Sequence, residues 1–281
     1  MSEQLVSTAG PIPVAALQMN SGDNPAANLA RADGLLRTAA ARGVRLAVLP
    51  ENFSLMARED ADRRAHAEQD GRGPVQEFLS RIARELDLWI VAGSVPLANA
   101  PGERLSQACL VYDARGERVA RYDKVHLFDV ELPERGESYR ESAHMIPGQA
   151  LVTLDTPVGR LGLSICYDLR FPELYRALVA AGAQWLVVPA AFTAATGEAH
   201  WEPLLRARAI ENLCYVVASG QTGEHPNGRR TWGHSVIVDY WGRILSELPV
   251  GEGVVVANID LTAQADARRK FPALKHRVAL P

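Results

Sequence analysis

The chain has few cysteines and no long apolar run. Three cysteines occur among its 281 residues, widely separated at 109, 166 and 214, which excludes a disulfide framework. The longest apolar runs have the length of a strand, well short of the roughly 20 residues that cross a membrane. No basic segment followed by an apolar one opens the chain, so the sequence predicts no secretory signal and no membrane partner. A cytoplasmic, reducing compartment is favoured.

Neither sign of charge is in excess. The sequence has 30 Lys and Arg against 33 Asp and Glu, a net charge of −3, which gives no electrostatic reason to expect a nucleic acid partner. It also lacks a phosphate-binding loop, a G-x-S-x-G elbow and a G-x-G-x-x-G motif after a strand, so the main evidence for an NTPase, a serine hydrolase or a dinucleotide-binding protein is missing. The 7 histidines form no metal-binding pattern, and no zinc site is expected.

Short β-rich runs alternate with amphipathic segments along almost the whole chain. This alternation predicts a mixed α/β single domain in which helices cover buried sheets, although it does not give the strand order. The long segments 52–72 and 126–148 are expected to be loops that shape a site. Strands are expected at 13–18, 44–50, 88–95, 151–155, 160–166, 183–190, 215–221 and 253–260, hairpins at 109–124 and 235–245, and helices at 24–42, 75–87, 172–181 and 199–212.

Cys166 lies in the stretch LSICYDLRFPEL, between the expected end of a strand and the start of a helix. Backbone N–H groups and the positive end of a helix dipole at such a junction lower a thiol pKa, and the same amides can bind an oxyanion. The alternative is a buried structural cysteine. That alternative is the interpretation favoured for Cys109 and Cys214, which lie in apolar strand runs.

Three charged residues also stand at the ends of expected elements. Glu51 follows the apolar run RLAVLP, where partial burial would raise its pKa towards that of a general base; a solvated loop glutamate is the alternative. Lys124 closes the first hairpin and could stabilise a negative transition state, or simply be an exposed strand-end charge. Glu141, in the loop SYRESAH, is the weakest candidate by itself.

Taken together and in order, these residues resemble the Glu-Lys-Cys triad of the nitrilase superfamily of carbon–nitrogen hydrolases. The matching motifs are VLPEN, YDKVHLF and CYDLRFPE, together with PG at 147–148. The resemblance covers 12–261 as one domain and leaves 1–11 as an N-terminal extension and 262–281 as a C-terminal tail. CYDLRFPEL and the later LRARAIENLCYVVASGQTGEH are similar to the Nit-type amidase branch rather than to enzymes that hydrolyse nitriles.

The resemblance implies a four-layer αββα sandwich, often dimerised through helices, so a homodimer or higher homo-oligomer is expected. It implies that Cys166 is the nucleophile that forms a thioester, Glu51 the proton carrier, Lys124 an oxyanion ligand and Glu141 a second acid that positions the lysine or the substrate. No metal or organic cofactor is implied. The substrate is then a small-molecule amide: the 2-oxoglutaryl amide of cysteinylglycine or, alternatively, 2-oxoglutaramate or another small aliphatic amide.

Four further residues are expected to bind substrate. Tyr167 would offer its backbone N–H to the oxyanion, and Arg170 could pair with a substrate carboxylate or, alternatively, form a structural ion pair with Glu173. Phe192 and Thr193, which follow an expected strand, are predicted pocket walls.

Three rival hypotheses remain open at this stage. Cys166 could pair with His126, two residues from Lys124, as in papain-like hydrolases. The chain could be a non-catalytic nitrilase-like binding or assembly protein. A redox role has less support, because no second cysteine stands near Cys166.

Overall fold

Eighteen strands and six helices make up the described part of the computed structural model, which covers residues 10–100, 102–132 and 136–278. The strands are β1 (Ile12–Gln18), β2 (Leu46–Val48), β3 (Glu68–Gln69), β4 (Trp89–Val91), β5 (Val95–Ala98), β6 (Ser106–Tyr112), β7 (Arg118–Asp123), β8 (Asp129–Leu132), β9 (Glu137–Arg140), β10 (Thr153–Thr156), β11 (Gly159–Gly162), β12 (Trp185–Ala190), β13 (Tyr215–Gly220), β14 (Thr222–Glu224), β15 (Arg230–Trp232), β16 (Ser235–Val238), β17 (Ile244–Leu248) and β18 (Gly253–Ile259). The helices are α1 (Pro25–Ala41), α2 (Asp60–Ala65), α3 (Pro74–Leu86), α4 (Pro172–Ala180), α5 (Ala194–Asn212) and α6 (Leu261–Lys270). Short 3₁₀ turns lie at Glu141–Ala143, Cys166–Arg170 and Ala273–Lys275.

Most of the strands form two mixed sheets. The first has the order β18-β1-β2-β4-β6-β5-β3, with β7 paired to β6, and the second has the order β10-β11-β12-β13-β16-β17. The central neighbours β1, β2 and β4 run parallel in the first sheet, as β11, β12 and β13 do in the second. Just beyond β1 and β13, Met19 and Gln221 form a parallel bridge. The carboxyl ends of central strands from both sheets therefore meet at one end of the molecule.

Alternation along β1 shows how the layers stack. Val14 and Ala16 point into a core that also contains residues of the second sheet, whereas Ala15 and Leu17 point into a core shared with α1 and α3. Helices α4 and α5 pack on the second sheet through residues such as Leu205. The order of layers is therefore helices, sheet, sheet, helices, and the expected αββα sandwich is confirmed.

Most of the expected elements are present, but several bounds differ. The expected strand 88–95 is split into β4 and β5 at Gly93, which has a φ of +49°. The expected strand 160–166 ends at Gly162, and the helix expected at 199–212 begins earlier, at Ala194. The two segments expected to be loops contain α2, β3, β8 and β9. The apolar pattern predicted the positions of these elements but not their ends, because some buried residues are not paired in a strand and some helical turns are polar.

The predicted tail after residue 261 begins with α6, which is docked on the domain. Gln264 Nε2 donates hydrogen bonds to the carbonyl oxygens of Gln184 at 2.6 Å and Leu213 at 2.9 Å, and Arg268 Nε donates to Leu213 at 2.9 Å. This helix is thus continuous with the folded unit. Of the predicted extension 1–11, residues 1–9 lie outside the described residues. Among the helices described, none is long and apolar enough to cross a membrane.

Candidate active site

The expected catalytic residues come from the carboxyl ends of strands in both sheets. Glu51 follows β2 and Lys124 follows β7 in the first sheet, while Cys166 follows β11 in the second. All three, with Glu141, line one cavity of about 480 Å³, a volume usual for small-molecule sites. The fold therefore brings together four residues that are far apart in the chain.

Lys124 lies between two carboxylates. Its Nζ is 2.9 Å from Glu51 Oε1 and 2.9 Å from Glu141 Oε2, and its side chain is only 2% exposed. Glu141 is held in turn by the backbone N–H of Phe128, at 2.7 Å. Burial lowers the pKa of Lys124, but the charges of Glu141 and Glu51 outweigh burial and raise it above the ordinary value. Lys124 is therefore a fixed positive charge, not the exposed strand-end lysine that was the alternative.

Glu51 is buried, and both of its carboxylate oxygens accept hydrogen bonds. Its Oε2 accepts a hydrogen bond from the backbone N–H of Ala191 at 2.8 Å, and its backbone oxygen accepts one from Gln221 Nε2 at 3.1 Å. Burial raises the pKa of Glu51, but the charges of Lys124 and Arg229 and the hydrogen bonds from Lys124 and Cys166 outweigh it, so that the pKa lies below the ordinary value. The expectation of a raised pKa was wrong, because it considered burial without these cations.

The backbone at Cys166 is turned sharply out of the second sheet. Its φ of +46° is in the left-handed region, which is strained for a residue with a side chain. The Asp168 carboxylate fixes the turn, because Oδ2 accepts hydrogen bonds from the backbone N–H of Ile165 at 2.8 Å and from the hydroxyl of Tyr122 at 2.7 Å. The turn Cys166–Arg170 is 3₁₀, and α4 begins only at Pro172. Cys166 is therefore not at the amino end of α4.

Cys166 does not have the lowered thiol pKa that its position predicted. Burial raises the pKa of the thiol, and so does the negative charge of Glu51; the opposing charges of Lys124 and Arg229 are too weak to reverse the shift. The prediction was wrong because it relied on the dipole of α4, which starts too far along the chain. Burial and the neighbouring charge of Glu51 thus both favour the neutral thiol over the thiolate.

The side chain of His126 contacts residues other than Cys166. Its Nδ1 is 2.7 Å from Asp168 Oδ1, and its ring stacks on Phe171 with centroids 3.6 Å apart. Among the described residues, those that line the cavity with Cys166 do not include His126. This arrangement does not support a Cys–His pair.

The PG motif positions Lys124. The backbone N–H of Gly148 donates to the carbonyl oxygen of Lys124 at 2.8 Å, and a Cβ on Gly148 would lie 2.0 Å from the carbonyl oxygen of Asp123. Only glycine allows this close approach of two backbones. The motif thus serves the geometry of the lysine.

The four residues expected to bind substrate, Tyr167, Arg170, Phe192 and Thr193, also line the cavity. The guanidinium of Arg170 lies 5.1 Å from the ring centroid of Phe192, and its Nη1 is 3.2 Å from His200 Nδ1. In the part of the chain that is described, Arg170 forms no ion pair with Glu173, so the alternative structural role is not supported.

Both segments expected to be loops contribute to the rim of the cavity, as predicted. Arg58 and Arg63 come from the first segment, and Tyr139 and His144 from the second. His144 Nε2 lies 2.7 Å from Asp60 Oδ2 and joins the two segments.

Arg229 also lines the cavity, and the sequence analysis missed it. It comes from the turn between β14 and β15, and its Nη2 donates a hydrogen bond to the carbonyl oxygen of Ala191. In the sequence it stands in PNGRRT, where two adjacent arginines after a turn look like exposed charges. No sequence signal distinguishes Arg229 from Arg230.

The other cysteines and the acidic and imidazole groups suggest no second site. Cys109 and Cys214 are fully buried, and burial raises the pKa of Cys214 to about 11. Within the residues described, no group of three or more His, Cys, Asp or Glu side chains is placed to hold a metal ion.

The fold and the site together define a class of protein. Residues 13–269 match the family described as carbon-nitrogen hydrolase. The chain belongs to this family, and it is a carbon–nitrogen amidohydrolase of the nitrilase superfamily.

The chain is also similar to individual members of this family, both in sequence and in structure. The chain is 45% identical to a deaminated glutathione amidase of Yersinia enterocolitica over 94% of this chain and 92% of that protein, and 41% identical to the one of Homo sapiens over 94% of this chain and 81% of that protein. Among solved structures, it resembles Saccharomyces cerevisiae Nit3, a member of branch 10 of the nitrilase superfamily, with a TM-score of 0.84, 30% identity and coverage of 94% and 95%. It also resembles the C. elegans NitFhit protein, with a TM-score of 0.88 and 36% identity. That match covers 96% of this chain and 65% of the longer protein.

Proposed function

We propose that this chain is a cysteine-dependent amidase that hydrolyses deaminated glutathione to 2-oxoglutarate and cysteinylglycine. The observation that carries the proposal is the arrangement of Cys166, Glu51 and Lys124 in one buried cavity, in a chain whose relatives of 40–45% identity bear that enzyme's name. The roles of the residues follow from their charges.

In the first half of the reaction, the thiol of Cys166 attacks the amide carbonyl while its proton moves to the carboxylate of Glu51. The carbonyl oxygen becomes an oxyanion, which Lys124 and the backbone N–H of Tyr167 stabilise; loss of one such donor typically costs about 10²–10³ in turnover. Tyr167 is the second residue of a 3₁₀ turn, where N–H groups have no partner within the turn. Glu51 then gives its proton to the leaving amine, and the acyl group remains on Cys166 as a thioester.

In the second half, Glu51 takes a proton from a water molecule that attacks the thioester. The tetrahedral oxyanion uses the same two donors, and its collapse releases the acid and returns the proton to the sulfur. Glu141 keeps Lys124 oriented, with Nζ 2.9 Å from its Oε2. Arg170 binds the carboxylate of the 2-oxoglutaryl group, while Phe192 and Thr193 form the wall of the pocket. No metal ion or organic cofactor takes part in these steps.

The protein is also proposed to act as a homodimer in a reducing cytoplasm. Three buried thiols without disulfides support the reducing compartment, and the family resemblance supports assembly through helices. Neither nucleic acid nor a membrane has a place in this proposal.

A competition assay tests the proposed substrate. The purified protein is given deaminated glutathione, 2-oxoglutaramate, a simple aliphatic amide and a nitrile, and kcat/KM is measured for each, with Cys166→Ala as the blank. We expect deaminated glutathione to be hydrolysed most efficiently and the nitrile not at all. A preference for 2-oxoglutaramate would assign the chain to omega-amidase instead. Absence of turnover with every amide would favour a non-catalytic binding protein.

A further inference from the structure

Arg229 is held rigidly beside the catalytic carboxylate. Its Nη2 donates to the carbonyl oxygen of Ala191, whose backbone N–H donates to Glu51 Oε2 at 2.8 Å. The turn that carries it is closed by the His225 N–H, which donates to the Arg229 carbonyl at 2.9 Å, and His225 is itself 3% exposed and bonded to Ser21 and Thr231. One residue, Ala191, thus links the guanidinium to Glu51 through its backbone N–H and carbonyl oxygen.

The guanidinium has unused donors. Among the described residues, Nη1 of Arg229 forms no hydrogen bond, Nε is buried without a partner, and the guanidinium forms no ion pair with a carboxylate. A buried donor without a partner is destabilising, and an arginine keeps its charge. A planar cation with unused donors in a substrate cavity fits a carboxylate.

Arg170 and Arg229 are the ends of an aromatic row. The row consists of Tyr139, Phe128 and Tyr167, whose neighbouring ring centroids are 4.9 and 5.0 Å apart. Arg229 lies 5.2 Å from the centroid of Tyr139, and Arg170 lies 5.8 Å from that of Tyr167. All five residues line the cavity. Two of the five arginines that line the cavity, Arg170 and Arg229, are therefore held apart at opposite ends of this row.

The two halves of the substrate can be assigned to the two arginines. Arg170 belongs to the 3₁₀ turn that starts with Cys166, the residue that carries the acyl group. Arg229 adjoins Ala191 and through it Glu51, the residue that protonates the leaving amine. We propose that Arg229 binds a carboxylate on the leaving group, so that the cavity selects amides with a carboxylate on both sides of the scissile bond. This proposal deepens the proposed function and rests on it.

The proposed role of Arg229 applies to only one of the two candidate substrates. Deaminated glutathione releases cysteinylglycine, which carries a carboxylate, whereas 2-oxoglutaramate releases ammonia, which does not. The positive charge of Arg229 also acts on the catalytic groups, because it lowers the pKa of Glu51 and opposes the rise in the pKa of Cys166. Loss of Arg229 is therefore expected to slow the hydrolysis of every substrate somewhat. Its specific contribution to carboxylate binding is measured by the ratio of kcat/KM between substrates.

The test compares three substrates in wild type and variants. They are deaminated glutathione, the same compound with its glycine carboxylate converted to a carboxamide, and 2-oxoglutaramate. We expect wild type to prefer the acid over the carboxamide by about 10- to 100-fold in kcat/KM, the range for a hydrogen bond between charged groups. In Arg229→Gln this preference should fall close to 1, and the carboxamide and 2-oxoglutaramate should slow by similar factors. Arg229→Lys should keep part of the preference, because it retains the charge without the planar fork.

Two matched variants and a binding measurement complete the test. Arg63→Gln removes a positive charge from the same cavity and should leave the preference intact, whereas Arg170→Gln should slow all three substrates. An unchanged preference in Arg229→Gln, or wild type without any preference, overturns the assignment. If wild type hydrolyses none of the three, the proposed function fails. Calorimetric titration of Cys166→Ala with the acid and the carboxamide then decides the inference separately: a preference in Kd that Arg229→Gln removes supports it, and equal or absent binding overturns it.

Discussion

Replacing Glu51 by glutamine should make the enzyme slower and its thiol more acidic at the same time. The side chain keeps its size but loses its charge and one acceptor oxygen. In wild type that carboxylate accepts from Lys124 Nζ at 2.9 Å, from the backbone N–H of Ala191 at 2.8 Å and from the Cys166 thiol, and an amide has only one acceptor oxygen for these donors. We therefore expect Glu51→Gln to lower the free energy of unfolding by about 1–3 kcal/mol.

The size of both effects can be worked out. Loss of the proton carrier should reduce kcat by about 10²- to 10⁴-fold. Because the charge of Glu51 raises the pKa of Cys166, its removal should lower that pKa. Two unit charges about 4 Å apart interact by about 4 kcal/mol at an effective dielectric constant of 20, which sets the order of magnitude of the effect. A more acidic thiol is a weaker nucleophile, so the net gain in alkylation rate should be about tenfold or more.

The assay is alkylation of Cys166 by iodoacetamide across a range of pH, read by mass spectrometry of its peptide. In wild type the rate should still rise at the highest usable pH, whereas in Glu51→Gln it should level off at lower pH. Cys109 and Cys214, both fully buried, are internal references within each sample. If alkylation of Cys166 slows in parallel with turnover, or its pH profile does not move, the charge of Glu51 does not control the thiol and the electrostatic reasoning is wrong.

Two more predictions concern pH and backbone fit. Since the pKa of Glu51 is lowered and that of Cys166 is raised, kcat/KM should fall on the acid side only below the ordinary glutamate value of 4.5 and show no alkaline limb below the ordinary cysteine value of 9.0. An additional limb between these two values that disappears in His126→Ala would instead support a Cys–His pair. Gly148→Ala should lower both kcat and, by about 1–3 kcal/mol, the free energy of urea unfolding, because its Cβ would lie 2.0 Å from a backbone oxygen. The control Gly34→Ala, at an exposed helical position with open space around it, should raise that free energy by about 0.5–1 kcal/mol, and equal effects at the two glycines would contradict the argument.

The fold was predictable wherever the local pattern and the tertiary structure agree. Helix α1 begins where expected because the Asn24 side chain caps it, accepting a hydrogen bond from the backbone N–H of Ala27 at 3.1 Å, and Pro25 suits its first position. The two hairpins follow from glycines with φ near +80°, Gly116 and Gly242. The order of the strands and the pairing of the sheets depend on contacts between distant segments, which periodicity does not encode.

The errors have a common physical source. Residues 163–165 are apolar or small and buried, so they look like a continuing strand, yet the backbone leaves the sheet there to present Cys166. The pKa direction of Glu51 was predicted wrongly because the fold brings the charges of Lys124 and Arg229 beside it, and that of Cys166 because burial and the charge of Glu51 raise it. Burial can be inferred from a sequence, but the identity of the buried neighbours cannot.

The origin of the reacting groups in two different sheets has a mechanical consequence. The carboxylate and the ammonium are carried by one half of the sandwich and the sulfur by the other, so their separation is set by how closely the two inner faces interlock. In the proposed mechanism, a change of side-chain volume deep between the faces, even one remote from the cavity, would alter the distance between the proton donor and its acceptor. Catalytic rate would then be sensitive to core packing.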